Sequence, residues 1–376
     1  MDFTLSEEQQ LLKDSADRFV RESYPLETRR ELVASELGYS EQNWRQMAEL
    51  GWLGVTVPEE YGGIGGGATE VMVLMEAFGA GLVLEPYLSG VVLGGNLLTQ
   101  AGSNAQREAL LPALVEGKLK FAFAYVEAQS GYDLFDIETS AVARDGGFII
   151  NGDKGVVLGA ASADWLIVSA RTAGGSRDRE GIGLFLVARD ADGVRLREYR
   201  TIDGLRAAEV SFTDVRIDAH AVLGDPGGAL PVIEQVARQA IAALCAEAVG
   251  AMDALIKTTN EHLKTREQFG RPIGKFQVLQ HQLVDMFIAS EECRSMVYVS
   301  TLRLADNDVK AREQSISGAK HLIGKHGRMI GQCSVQLHGG MGMSDEMNVG
   351  HYFKRLSMID IMFGDHAWHL KRFAAL

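Results

Sequence analysis

The sequence predicts an α+β chain in three parts: an N-terminal α-helical domain (1–118), a middle antiparallel β-barrel (119–218) and a C-terminal four-helix bundle (219–376). Three observations carry that expectation. Apolar residues recur at helical spacing before Leu119. Short β-rich runs, separated by Gly, Asp or Ser, then crowd the chain to Asp218 with none of the intervening helical periods that βαβ units need. From about Ala229 the helical period returns and lasts to the end.

In chain order, Thr4-Leu-Ser-Glu7 has the form of a capping box, with Leu5, Leu12, Ala16 and Phe19 at helical steps. A second helix is expected over Ser40–Leu50, with Trp44, Met47 and Leu50 on one face. Pro58–Gly67 is glycine-rich but lacks the Walker lysine. Ala68 also stands where the third glycine of GxGxxG belongs, so the segment reads as a turn between helices. Strands are expected at Phe121–Val126, Thr139–Arg144, Phe148–Lys154, Trp165–Arg171, Ile182–Ala188 and Glu209–Val215, with Gly174–Gly181 as an exposed hairpin tip. Helices are expected over Leu230–Phe269, Phe276–Ala305, Ala311–Gln336 and Val349–Leu376, the pattern of a bundle.

With 376 residues and 46% hydrophobic content, the chain can bury real cores in two or three domains. A net charge of −13 argues against nucleic-acid binding and against docking on anionic membranes. Three scattered cysteines (Cys245, Cys293 and Cys333) form no CxxC pair, so neither a disulfide framework nor a zinc ribbon is expected. The acidic, polar start is unlike a signal peptide, and no uncharged apolar run long enough to span a bilayer is expected: the nearest, Val83–Leu98, is broken by Glu85, Pro86, Gly94 and Gly95. A soluble, cytoplasmic protein is the expectation.

Five segments, in this order, resemble motifs of the acyl-CoA dehydrogenase superfamily: Leu50–Gly63, Phe148–Lys154, Val210–Arg216, Arg266–Ile273 with Phe276-Gln277, and Gln336–Gly342. Within it, Met1–Gly95, His351–Arg355 and Phe363–Asp365 look most like the small subunit of pimeloyl-CoA dehydrogenase. Similar heteromeric enzymes of steroid side-chain breakdown come next. The resemblance implies FAD, an acyl-CoA thioester as substrate and an electron-transferring flavoprotein as acceptor. A carboxylate would take the α-proton while the next carbon gives up hydride. Such a site needs donors for an enolate-like oxygen and a water-poor pocket for the base.

The family's base is absent from both places the resemblance offers. Phe363 stands where a Glu is usual, and the alternative position falls on Ala240, with Ile241 beside it. Asp365 is the substitute to weigh, against a helix-capping role. Around the expected flavin ring, Val126, Tyr132, Val156 and Leu158 replace hydroxyl or aromatic partners, which reads as a core repacked with apolar side chains. The other half of the cofactor site is retained. Arg266, Phe269, Gly270, Gln277, Gln336, Gly339 and Gly340 match the residues that grip the adenine-diphosphate end of a neighbouring subunit's FAD. His366 and His369 share a helical face without a third ligand, so no metal site is expected.

Three readings follow. The chain is a dehydrogenase subunit that donates half a FAD site to a homologous large subunit in a heterotetramer. Or it is a self-sufficient homo-oligomer with a non-standard base such as Asp365. Or it is a non-catalytic scaffold.

Overall fold

The computed structural model describes residues 4–376. The helices are α1 (Glu7–Ser23), α2 (Leu26–Ala34), α3 (Glu41–Glu49), α4 (Ala68–Gly81), a π-helix (Leu88–Gly95), α5 (Asn96–Ala101) and α6 (Asn104–Val115). Eight strands follow: β1 (Phe121–Ala124), β2 (Ser140–Arg144), β3 (Gly147–Leu158), β4 (Trp165–Arg171), β5 (Ile182–Ala188), β6 (Val194–Arg200), β7 (Arg206–Asp218) and β8 (Val222–Leu223). The rest is α7 (Leu230–Thr265), a hairpin of β9 (Glu267–Gln268) and β10 (Arg271–Pro272), α8 (Gln277–Arg303), α9 (Val309–His338), α10 (Asn348–Ile361) and α11 (His366–Ala375).

The chain divides into two compact units. The first holds the residues through Glu31, Ala68–Val83 and Ile241–Leu376. Here α1 starts on a capping box formed by Ser6 and Gln9, two residues beyond the expected one, because the Ser6 hydroxyl reaches the Gln9 amide at 3.2 Å. Helices α4 and α7 cross closely enough that a Cβ on Gly79 would strike the Glu247 carbonyl, and one on Gly250 the Glu76 carbonyl. Gly324, Gly327 and Gly331 form a shallow row on α9 that receives Asp360, Leu356 and Phe353 of α10. A buried Arg355 forks onto both oxygens of Glu247 at 2.6 and 2.7 Å. The expected terminal helix is broken at Met362–Asp365, where Phe363 and Gly364 take φ of 56° and 108°.

The second unit comprises Leu32–Gly67 and Leu84–Ala240. Its sheet runs β6-β7-β3-β2-β4-β5-β8, with β1 joined in parallel to β4 and the remaining strand pairings mostly antiparallel. Two strands of the sheet escape the sequence reading: in β6, Val194–Arg200 alternates apolar with charged residues and stays largely exposed, and β8 is only two residues long. The segment Gly62–Gly66 folds back on Gly54–Val57: the amides of Ile64, Gly65 and Gly66 donate to the carbonyls of Gly54, Val57 and Val55. Those amides are spent on the chain itself, as a turn requires. Ser40 caps α3, burying Trp44 and Met47, while Leu50 lies at the exposed end. Helix α7 also contains a stretch apolar enough to cross a membrane by length and composition, a longer run than Val83–Leu98; 78% of that stretch is buried in the protein, as in a core helix.

Candidate functional site

Three groups of residues carry the site chemistry that the sequence offers. In the second unit, Val126 and Gly155 are joined by a backbone bond of 2.8 Å, which brings Val126–Asp133 beside β3. A register shift between Lys154 and Val157 reverses the facing of β3. Lys154 therefore shares the inward face with Ile150, Val157 returns to the core, and Val156 is left 40% exposed. The repacked apolar core expected here does not form: Val156 is exposed, Val126, Tyr132 and Leu158 are only half-buried, and none of the four joins the buried core of the sheet. Beneath this edge, the Lys154 ammonium is 2.6 Å from Glu127, both side chains being almost fully buried. Glu127 also accepts from the Gln129 amide and from the backbone amides of Glu138 and Thr139. Burial alone would raise this carboxyl; Lys154 and the amide donors outweigh it and hold it down at about 2. Burial, against the pull of Glu127, brings Lys154 down to about 8.

Arg171 was not singled out by the sequence. Its side chain donates to the carbonyls of Phe135, Ile137, Ser176, Asp178 and Glu180, pinning the Gly174–Gly181 hairpin tip to the Val126–Ile137 segment. Only its place at the end of an apolar strand hinted at burial.

In the first unit, Phe363 is buried in the turn between α10 and α11. Its carbonyl accepts from His369 Nε2 at 3.0 Å. Lys320, fully buried on α9, donates to the carbonyls of Asp360 and Gly364, both at 2.7 Å. Burial brings its ammonium down to about 8, and burial with the nearby Lys320 charge brings His369 down to about 3. Asp365 caps α11, accepting from the Trp368 amide at 2.8 Å. Asp360 accepts from both the backbone amide and Nδ1 of His366. Ala240 and Ile241 are buried on α7. Lys320 was missed because a lysine on an apolar helix face carries no motif, and His369, weighed only as a metal ligand, gave no sign of its bond to the Phe363 carbonyl.

The third group lies at the other end of the first unit. Arg266 directly follows α7, is exposed, and pairs with no carboxylate among the described residues. Phe269 is 90% exposed at φ 53°, and a Cβ on Gly270 would meet nothing within 4 Å. Gln277 opens α8 and is exposed. Gln336 is exposed on the last turn of α9, and Gly339 and Gly340 follow with open space where a Cβ would stand. The two segments are adjacent: the rings of His262 on α7 and His338 on α9 stack with centroids 4.2 Å apart. The Gly339 amide is spent on the Gln336 carbonyl, so the glycines offer room for close approach and not the free amides expected; the Arg266 cation and the amide side chains suit a diphosphate.

The N-terminal, middle and C-terminal domains of acyl-CoA dehydrogenase match residues 6–118, 122–215 and 230–375. The chain is 30% identical to mitochondrial isovaleryl-CoA dehydrogenase of Oryza sativa subsp. japonica, over 95% of this chain and 88% of the relative. Among solved structures, it is similar to the ChsE4–ChsE5 complex from Mycobacterium tuberculosis (TM-score 0.90, 26% identity, 100% of this chain and 98% of that one). It is likewise similar to the FAD complex of PigA (TM-score 0.92, 26% identity, the same coverage). The three matched domains, in order and over most of the length, place the chain in the acyl-CoA dehydrogenase family.

Proposed function

We propose that this chain is a subunit of a flavin-dependent acyl-CoA dehydrogenase that supplies half of a FAD site to a homologous partner and no catalytic base of its own. The observation that carries the reading is the exposed surface of Arg266, Gln277 and Gln336, whose side-chain donors make no bond among the described residues, with Gly339 and Gly340 leaving open space beside them. FAD supplies the electron chemistry in this family, accepting hydride from the substrate. Arg266 would hold the diphosphate through its guanidinium fork and Gln277 and Gln336 through their side-chain amides, while Gly339 and Gly340 would let it approach the backbone closely. Phe269 presents a bare ring for packing against the partner.

The ring end offers less. Val126, Val156 and Leu158 have no side-chain donor for a flavin carbonyl or nitrogen, and Phe363 accepts no proton. Asp365 is a weak substitute because its carboxylate is already engaged as the cap of α11. The same reading divides the chain at 118/119 and 218/219 and assigns an acyl-CoA thioester as substrate, a heterotetramer with a large subunit, an electron-transferring flavoprotein as acceptor and a cytoplasmic setting. Val278, Val284, Phe287 and Ile288, all more than half exposed on α8, are the apolar face that a partner helix would cover.

The test is the flavin spectrum. The chain purified alone is expected to be colourless and inactive. Co-expressed with a homologous chain that carries the base, it is expected to give a yellow complex that reduces dye with acyl-CoA. Yellow, active protein from this chain alone would overturn the reading.

A further inference from the structure

The two segments assigned above to FAD meet through a pair of imidazoles, His262 just before the first and His338 within the second. His262 lies on the last turn of α7, and its carbonyl accepts the Arg266 amide at 2.9 Å. The Arg266 carbonyl in turn accepts the Ile273 amide at 2.8 Å, so the β9–β10 hairpin hangs from that turn. His338 ends α9 one residue before Gly339, with 5% exposure. The two rings stack at 4.2 Å with 23° between their planes. His338 Nδ1 donates to the Ser334 carbonyl at 2.9 Å, which leaves Nε2 as a buried acceptor with no partner among the described residues.

Resting on that FAD reading, we propose that the His262–His338 stack is a pH-sensitive pin: it holds the Arg266–Gln277 and Gln336–Gly340 segments in register while both rings are neutral and releases them when the rings take up protons. The surroundings favour neutral rings. Burial lowers the affinity of His262 for a proton, and the neighbouring His338 and Arg266 add to the effect; burial does the same for His338, against the Ser334 bond. Among the described residues no carboxylate bonds either ring. Lys264 on the same turn is paired with Glu261 at 2.9 Å, and Arg271 lies over the Phe276 ring at 4.3 Å. On the α9 side, His338 meets the Ser334 carbonyl and no acid. Both folded-state values lie below the usual 6.5. As pH falls through that value, the opened state binds protons before the stacked state does, and stacking weakens.

Amide hydrogen exchange of the full-length chain, without flavin, tests this at pH 7.5 and 5.0 after correction for the chemical rate. Protection of residues 266–277 and 336–343 is expected to fall together, by about tenfold, on acidification. His262→Phe, an uncharged ring, should keep both segments protected at both pH values. His262→Ala should leave both unprotected at either. The proposal is overturned if wild-type protection is unchanged by acid, if the two segments respond independently, or if His262→Phe loses protection as the wild type does. Should the variants fail to fold, wild-type imidazole NMR signals decide: interdependent titration of both rings below 6.5 supports the pin, and independent titration at or above it overturns the pin. No cofactor enters these measurements, so their failure would leave the FAD reading to its own test.

Discussion

Lys154 sits on β3, in a segment that the sequence marks only as a family-like hairpin, yet its charge is wholly buried against Glu127. Removing one partner strands the other, which costs about 3–5 kcal/mol for a buried pair. Lys154→Met is therefore expected to lower stability by that amount in urea unfolding; a change below about 1 kcal/mol would show the pair to be dispensable. At Phe363 the contrast is between a missing group and a missing site. Lys320 and His369 hold the turn by its carbonyls. Phe363→Glu would thus place a carboxyl in a buried position, where it tends to stay protonated. Unpartnered flavin atoms beside Val126, Val156 and Leu158 would cost roughly 1–3 kcal/mol each. Acyl-CoA-dependent dye reduction by this single variant, purified alone, is expected to stay at background. Robust turnover would mean that the base was the only part lacking.

At the scale of elements, the first unit depends on how closely helices cross. Gly79 on α4 and Gly250 on α7 each face a carbonyl of the other helix. A methyl at either position must push the helices apart, and overpacking of this kind costs about 1–3 kcal/mol. Gly79→Ala and Gly250→Ala should each lower the melting temperature, and the double variant should fall short of the sum, since one displacement relieves both clashes. Additive effects would contradict a shared crossing. Helix periods and strand runs were legible in the sequence because most elements bury one face: Ser40–Leu50 and the long helices fall within a few residues of the observed spans. What escaped was set by tertiary contact. The break at Met362–Asp365 is stabilised by Lys320 from another helix, which no local pattern announces. The exposure of Val156 follows from a register shift, and β6 hides behind its charges. Of the proposed cofactor surface, the motifs gave the residues, but only the fold brings Arg266 and Gly339 to one end through the His262–His338 stack.

For the whole molecule, the division of labour between chains is the central claim. A chain with an unpaired Arg266 side chain, glycines with open space and an exposed Phe269 at one end has the parts of the proposed donor surface. Such a surface should matter to the complex and little to the fold of this subunit, because Arg266 is exposed and supports no ion pair among the described residues. The most direct measurement is the flavin content of the purified complex, with and without Arg266→Ala, after gel filtration. Loss of charge-assisted bonds to a diphosphate weakens binding by roughly ten- to a hundredfold. The account predicts that the Arg266→Ala complex forms with unchanged stoichiometry and circular dichroism, but sheds flavin and recovers dye reduction when FAD is added in excess. Full flavin retention and unchanged activity in the Arg266→Ala complex would contradict it.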